Sequence, residues 1–206
     1  MKLKWAALTL LLGLGVAVAP VQGEANQRQY GERYFDNEEN EWKVWRGRAG
    51  RYRSDKSPIR KKKVRIEGRY SKGTIIIDTA ERRLYYTLGN GRAIKYGVGV
   101  GRQGFTWRGT QRISRKAEWP GWTPPAVMIR REARKGRKLP RYMPGGPNNP
   151  LGARALYLGS SIYRIHGTNQ PWTIGHAMSS GCIRMANDDV KDLYDRVGVG
   201  TKVIVR

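Results

Sequence analysis

Thr74-Ile75-Ile76-Ile77-Asp78 and Arg83-Leu84-Tyr85-Tyr86-Thr87 decide the fold. Both runs are rich in β-branched and aromatic residues, and Ala80-Glu81-Arg82 interrupts them, so the pair reads as a β-hairpin. Asn90-Gly91 is a tight-turn signal, because both residues tolerate the positive φ of a two-residue hairpin loop, and a strand is expected over about 93–98. Farther on, Ala155-Leu156-Tyr157-Leu158 and Ile162-Tyr163-Arg164-Ile165 read as strands, and 201–205 as a last short one. One helix stands out. Asn187 reads as its N-cap, with Asp188 and Asp189 in the first turn. Val190, Leu193, Tyr194 and Val197 share a face, and Gly198 can end the helix. The chain therefore reads as a single mainly β domain over 64–206 with one clear late helix. The stretches 99–109, 119–125 and 144–150 are irregular and rich in glycine, proline or tryptophan, the kind of long loop that builds a binding cleft.

Two segments precede that domain. Met1-Lys2-Leu3-Lys4 is basic, an apolar run follows to about Ala19, and small or polar residues come next, so residues 1–23 read as a secretory signal peptide. The apolar core is too short to span a bilayer comfortably, and no later segment is apolar enough to cross one. Residues 24–63 are polar, mixed in charge and poor in aliphatic side chains, and read as a flexible arm or linker. Tyr30, Tyr34, Trp42 and Trp45 are the unusual residues within it.

The formal charge is +24, with 40 Lys and Arg against 16 Asp and Glu. A field of that size attracts polyanions. Export removes nucleic acid from the list of partners and leaves cell-wall polymers, anionic headgroups and acidic peptides. The densest run lies at 130–141, where Arg130, Arg131, Arg134, Lys135, Arg137, Lys138 and Arg141 face only Glu132. It reads as a solvated basic loop.

Cys182 is the single cysteine, so no intramolecular disulfide accounts for it. It lies in Ser179-Ser180-Gly181-Cys182-Ile183-Arg184-Met185, and His166 lies upstream in Ile165-His166-Gly167-Thr168-Asn169. Thiolate is the reactive form of cysteine, and a nearby imidazole or cation promotes it. In this reading His166 takes the proton of Cys182, the thiolate attacks a peptide carbonyl, and a thioester forms. Gly181 permits a tight backbone approach, and the amide of Cys182 and its neighbours can face an oxyanion. Arg184 lies on the side of the nucleophile in an extended chain, placed to stabilise the thiolate or hold a carboxylate. His176 is the alternative base, but it lies on a loop, whereas His166 ends a strand. One cysteine and two histidines lack the paired spacing of a zinc site, so neither metal nor cofactor is expected. Ser179 and Ser180 lack the elbow motif of a serine nucleophile and read as turn-shaping residues.

These motifs resemble the L,D-transpeptidase catalytic domain, the YkuD-like family. The resemblance runs from about Thr74 to Val205. It includes His166-Gly167-Thr168-Asn169, Ser179-Ser180-Gly181-Cys182-Ile183-Arg184-Met185, Asn187, Ile77-Asp78, Arg83-Leu84-Tyr85 and Val98-Gly99-Val100-Gly101. Trp122-Thr123-Pro124-Pro125 and Gly146-Pro147-Asn148-Asn149-Pro150-Leu151-Gly152 belong to it too. It implies a β-sandwich-like fold with the site in a cleft beneath loops. By motif position, Cys182 is the nucleophile, His166 the base and Arg184 the neighbouring basic residue, with Gly167, Ser180 and Gly181 in the substrate-binding surroundings. It further implies a periplasmic, cell-wall-associated enzyme acting on peptidoglycan stem peptides. Such an enzyme releases D-alanine and passes the acyl group to an amine of another stem peptide or of an outer-membrane protein. Two positions depart from the common pattern: Ser180 stands where many relatives carry His, and Phe105-Thr106-Trp107-Arg108-Gly109-Thr110 replaces a Thr-Pro-Thr-Gly type of segment. An L,D-carboxypeptidase, with water as acceptor, would use the same acyl-enzyme. A non-catalytic wall-binding module would use the charge alone.

Overall fold

The computed structural model describes residues 32–36, 41–45, 55–134, 136 and 138–206. The expected signal peptide, Tyr30, and Lys135 and Arg137 of the basic run lie outside them. Within the span read as an arm, β1 (Glu32–Asp36) and β2 (Glu41–Trp45) pair as an antiparallel hairpin. The end of that span lies against the domain. Asp55 accepts from the Asn187 side chain at 2.8 Å and from Asp188 N–H at 3.0 Å, and β3 (Lys62–Arg65) joins the main sheet. Low aliphatic content concealed these attachments, because they are made by polar groups and backbone.

The expected hairpin is β4 (Ile75–Asp78) and β5 (Arg83–Gly89), followed by β6 (Arg92–Gly97). Asn90 and Gly91 have φ of 52° and 64°, as a tight two-residue turn requires. β7 (Val100–Gly101) and β8 (Gly109–Glu118) come next, then β9 (Arg154–Leu158) and β10 (Arg164–His166). β11 (Ala177–Ser179), β12 (Ile183–Arg184) and β13 (Lys202–Val205) complete the strands. The main sheet runs β12-β10-β9-β8-β13-β4-β5-β6-β3, mixed in direction, and β11 pairs with β7 separately.

β8 belongs to both halves of this sheet. Its first residues pair with β13, its later ones with β9, and the register shifts between Ile113 and Arg115. A bulge bends a strand and sharpens its twist. The two halves accordingly share one core. Ile75, Ile77, Leu84 and Tyr96 from one half lie in a cluster with Leu156, Leu158, Ile165 and Ile183 from the other. This is the mainly β, sandwich-like arrangement that was expected. Ile76 points the other way, into a small cluster with Tyr85, Ala93, Val64 and Ile66.

There are two α-helices among the described residues. α1 (Ala126–Ala133) absorbs Arg130 and Arg131, part of the run read as a loop. It gave no periodic signal, since Val127 and Ile129 are exposed and its buried residue is Glu132. α2 (Asn187–Arg196) is the expected late helix, and it inserts Val190 and Leu193 into the core. Its N-cap is Ala186, not Asn187, and it ends before Val197. β8 was also missed, because among its residues only Ile113 is fully buried.

Candidate active site

His166 is the last residue of β10, gripped from both sides. β9 pairs it antiparallel with Ala155, and β12 pairs it parallel with Arg184. Met185 N–H donates to His166 O at 2.8 Å, and Gly167 N–H donates to Arg154 O at 2.9 Å. The ring is 5% exposed, with Nδ1 2.6 Å from Gly167 O. A carbonyl can only accept, so Nδ1 carries the hydrogen of the neutral ring and Nε2 keeps its lone pair. Burial lowers the imidazole pKa to about 3, with Arg184 adding to the fall, Gly167 O opposing it and Arg164 contributing further. At neutral pH the ring is an uncharged acceptor.

Cys182 directly precedes β12, and its Sγ lies 4.0 Å from Ile162 O. Its turn is locked by its own hydrogen bonds. Ser179 Oγ donates to Cys182 O at 2.5 Å and accepts from Gly181 N–H at 3.1 Å. Gly181 has φ of 104°, and a Cβ there would fall 2.5 Å from Tyr163 Cε1, so this position requires glycine. The Arg184 backbone exchanges hydrogen bonds with Gly99 at 2.9 and 2.8 Å. Burial lowers the Arg184 pKa, and the nearby Cys182 opposes that fall. Arg184 Nη1 is buried without a hydrogen-bond partner among the described residues.

The strand pairing thus brings His166 and Arg184 to one level of one sheet face, with Cys182 at the neighbouring level. Ser180 is exposed beside the thiol, while Gly167 and Gly181 are buried backbone positions. His176, the other candidate base, is exposed, and its carbonyl accepts from Val100 N–H at 3.0 Å.

The model of the YkuD family, the L,D-transpeptidase catalytic domain, matches residues 72–205. The chain belongs to this family. It is 43% identical over 135 residues to the probable L,D-transpeptidase ErfK/SrfK of Escherichia coli K12, covering 63% of this chain and 42% of that one. The match spans less than half the length of this relative and of the probable L,D-transpeptidase YbiS of the same organism. A solved structure from Brucella melitensis, described as a probable carnitine operon oxidoreductase, is 48% identical, covering 73% of this chain and 96% of that one at a TM-score of 0.49. The Enterococcus faecium L,D-transpeptidase C442S mutant shares the fold at a TM-score of 0.51 and 18% identity, over 66% of this chain and 50% of that one.

Two further residues hold the backbone around His166 and Cys182. Asn187, read as a helix cap, is instead a buried hub. Its Oδ1 accepts from Ala153 N–H at 2.9 Å and Thr168 N–H at 3.3 Å, and its Nδ2 donates to Asp55. Gly167 is glycine because a Cβ there would sit 2.4 Å from Asn187 Oδ1. Trp107, from the departing segment, donates from Nε1 to Gly181 O at 3.1 Å and stacks on Tyr163 at 4.8 Å between ring centroids. The departure itself was visible in the sequence; the partner it reaches was not.

Proposed function

We propose that this chain is an exported, cell-wall-associated L,D-transpeptidase using Cys182 as nucleophile on peptidoglycan stem peptides. The observation that carries the reading is the parallel β10–β12 pairing, which sets a neutral imidazole with a free Nε2 on the sheet face that bears the thiol. The Cys182 proton passes to His166 Nε2 as sulfur adds to the carbonyl following the L-centre of the third stem residue. Because an isolated imidazolium is strongly disfavoured at this buried position, transfer accompanies attack rather than preceding it. Gly181 N–H is engaged by Ser179 Oγ, so the oxyanion falls to the amide of Cys182 itself and the neighbours that remain free. His166 returns the proton to departing D-alanine, leaving a thioester. An amine of another stem peptide, or of an outer-membrane protein, then attacks with the same base assisting.

The test is mass spectrometry of tetrapeptide muropeptides incubated with the chain, with Cys182→Ala in parallel. A crosslinked dimer formed with loss of D-alanine, absent in the variant, is the expected product. Tripeptide alone would assign water or an absent protein amine as acceptor. Product surviving Cys182→Ala would overturn the reading.

A further inference from the structure

Arg164 has no role in the chemistry above, yet its side chain shares the face of the nucleophile. β10 pairs Arg164 with Tyr157 of β9, β8 pairs Tyr157 with Arg115, and the β10–β12 register sets Arg164 beside Cys182. A row therefore runs across the sheet from Cys182 through Arg164 and Tyr157 to Arg115, while His166, Arg184, Ala155 and Ala117 form the next row. The contacts agree with the register. Arg115 Cζ lies 3.6 Å and Arg164 Cζ 5.6 Å from the Tyr157 ring centroid. Arg164 Nη2 donates to Ile162 O at 3.3 Å, and the Cys182 thiol approaches that same oxygen at 4.0 Å.

These two rows hold three guanidiniums and no carboxylate. Arg164 Nε is buried without a hydrogen-bond partner among the described residues, as is Arg184 Nη1. Arg164 as a residue is only half-buried, but a buried N–H left unpaired is costly unless an anion arrives to meet it. The Tyr157 ring lies against both guanidiniums, at 3.6 Å for Arg115 and 5.6 Å for Arg164, while Arg164 Nη2 is used on Ile162 O and its Nε is left to donate.

We propose that Arg164, with Arg115 stacked on Tyr157 behind it, is a carboxylate-binding subsite for the peptide donor beside Cys182. The proposal rests on the transpeptidase reading, and its ligand is a carboxylate of the stem, either the terminal one on the leaving residue or one within the peptide.

Two experiments test it. The first needs no turnover: alkylation of Cys182 by iodoacetate and by iodoacetamide, in which sulfur bonds to carbon and iodide leaves. Their rate ratio cancels changes in thiol reactivity and reads affinity for the carboxylate. The ratio is expected to fall about tenfold in Arg164→Gln, less in Arg164→Lys, and to fall in Arg115→Gln, whose exposed site leaves folding untouched. An unchanged ratio in both Gln variants overturns the subsite. The second compares donor peptides in which one carboxylate at a time is a carboxamide. Arg164→Gln is expected to raise KM about tenfold with kcat nearly unchanged, and to lose that effect on the donor lacking the carboxylate it binds, which names the source. Equal KM for every donor in wild type and variant overturns the proposal. Turnover absent from wild type with the alkylation bias intact would count against the transpeptidase reading instead.

Discussion

The two halves of the sheet are built by different physics. In the half formed by β4, β5 and β6, side chains alternate cleanly: Ile75, Ile77, Leu84 and Tyr96 face the shared core, and Ile76, Tyr85 and Ala93 face the smaller cluster. In the half formed by β9, β10 and β12, Leu156, Ile165 and Ile183 fill the core from one face. The other face carries His166, Arg164 and Arg184. Its loops are held by Asn187 Oδ1, Ser179 Oγ and Trp107 Nε1 bonded to backbone. The first half is stabilised by burial of apolar area, which tolerates small adjustments. The second depends on individual polar bonds and close backbone approaches, whose loss is felt in stability or in the placing of the loops.

That contrast predicts a gradient of mutational cost. Asn187→Ala leaves the buried amides of Ala153 and Thr168 without their acceptor, and is expected to cost about 2–4 kcal/mol in a denaturant titration. A loss below about 0.5 kcal/mol, the range of ordinary surface changes, would remove Asn187 as the hub.

His166 adds a pH dependence to the same half. Its folded pKa is lowered from 6.5 to about 3, so between those values the unfolded chain holds a proton that the folded one lacks. Its contribution is complete above about pH 6.5 and is lost as pH falls toward 3, at up to about 1.4 kcal/mol per pH unit. Unfolding titrations across that window should show a shallower acid loss in His166→Asn than in the wild type. Asp189, raised by burial to about 6, slopes the opposite way but is common to both proteins. Parallel curves would mean that His166 titrates normally in the fold.

Trp107→Phe keeps the ring on Tyr163 and removes the bond to Gly181 O. The expected result is a roughly tenfold fall in kcat with KM and melting temperature little changed, since the loop carrying Cys182 loses its anchor. Equal losses in stability and rate would make Trp107 a packing residue only.

The effect expected to spare catalysis altogether belongs to the other half. Tyr96 is fully buried with its hydroxyl 2.5 Å from Asp192 Oδ2, a carboxylate also held by Arg196 at 2.8 and 3.1 Å. Tyr96→Phe is expected to cost about 1–2 kcal/mol and leave kcat/KM unchanged. A fall in kcat/KM there would break the separation of the two halves.

The same division explains what the sequence disclosed. The β4–β5 and β5–β6 hairpins were legible because alternation and Asn90-Gly91 are local signals. β10 and the core face of α2 were legible for the same reason. Cys182, His166 and Arg184 stood out by residue type and motif. The hub role of Asn187 was hidden because its partners, Ala153 and Thr168, are distant in sequence and bond through backbone. β8 was hidden by its exposure, and α1 by having no apolar face. Nothing local in the sequence singles out Arg164; the strand register sets it beside Cys182.

The proposed chemistry turns on a thioester on Cys182 formed with His166 as base. Intact-mass and peptide-level mass spectrometry after rapid quenching of the chain with a tetrapeptide donor tests it directly. The expected result is an added mass equal to the donor acyl group without its terminal residue, on the peptide containing Cys182, with its rate of appearance collapsing in His166→Ala. Turnover of the donor with no such adduct at any quench time, or with the adduct on another residue, would contradict it.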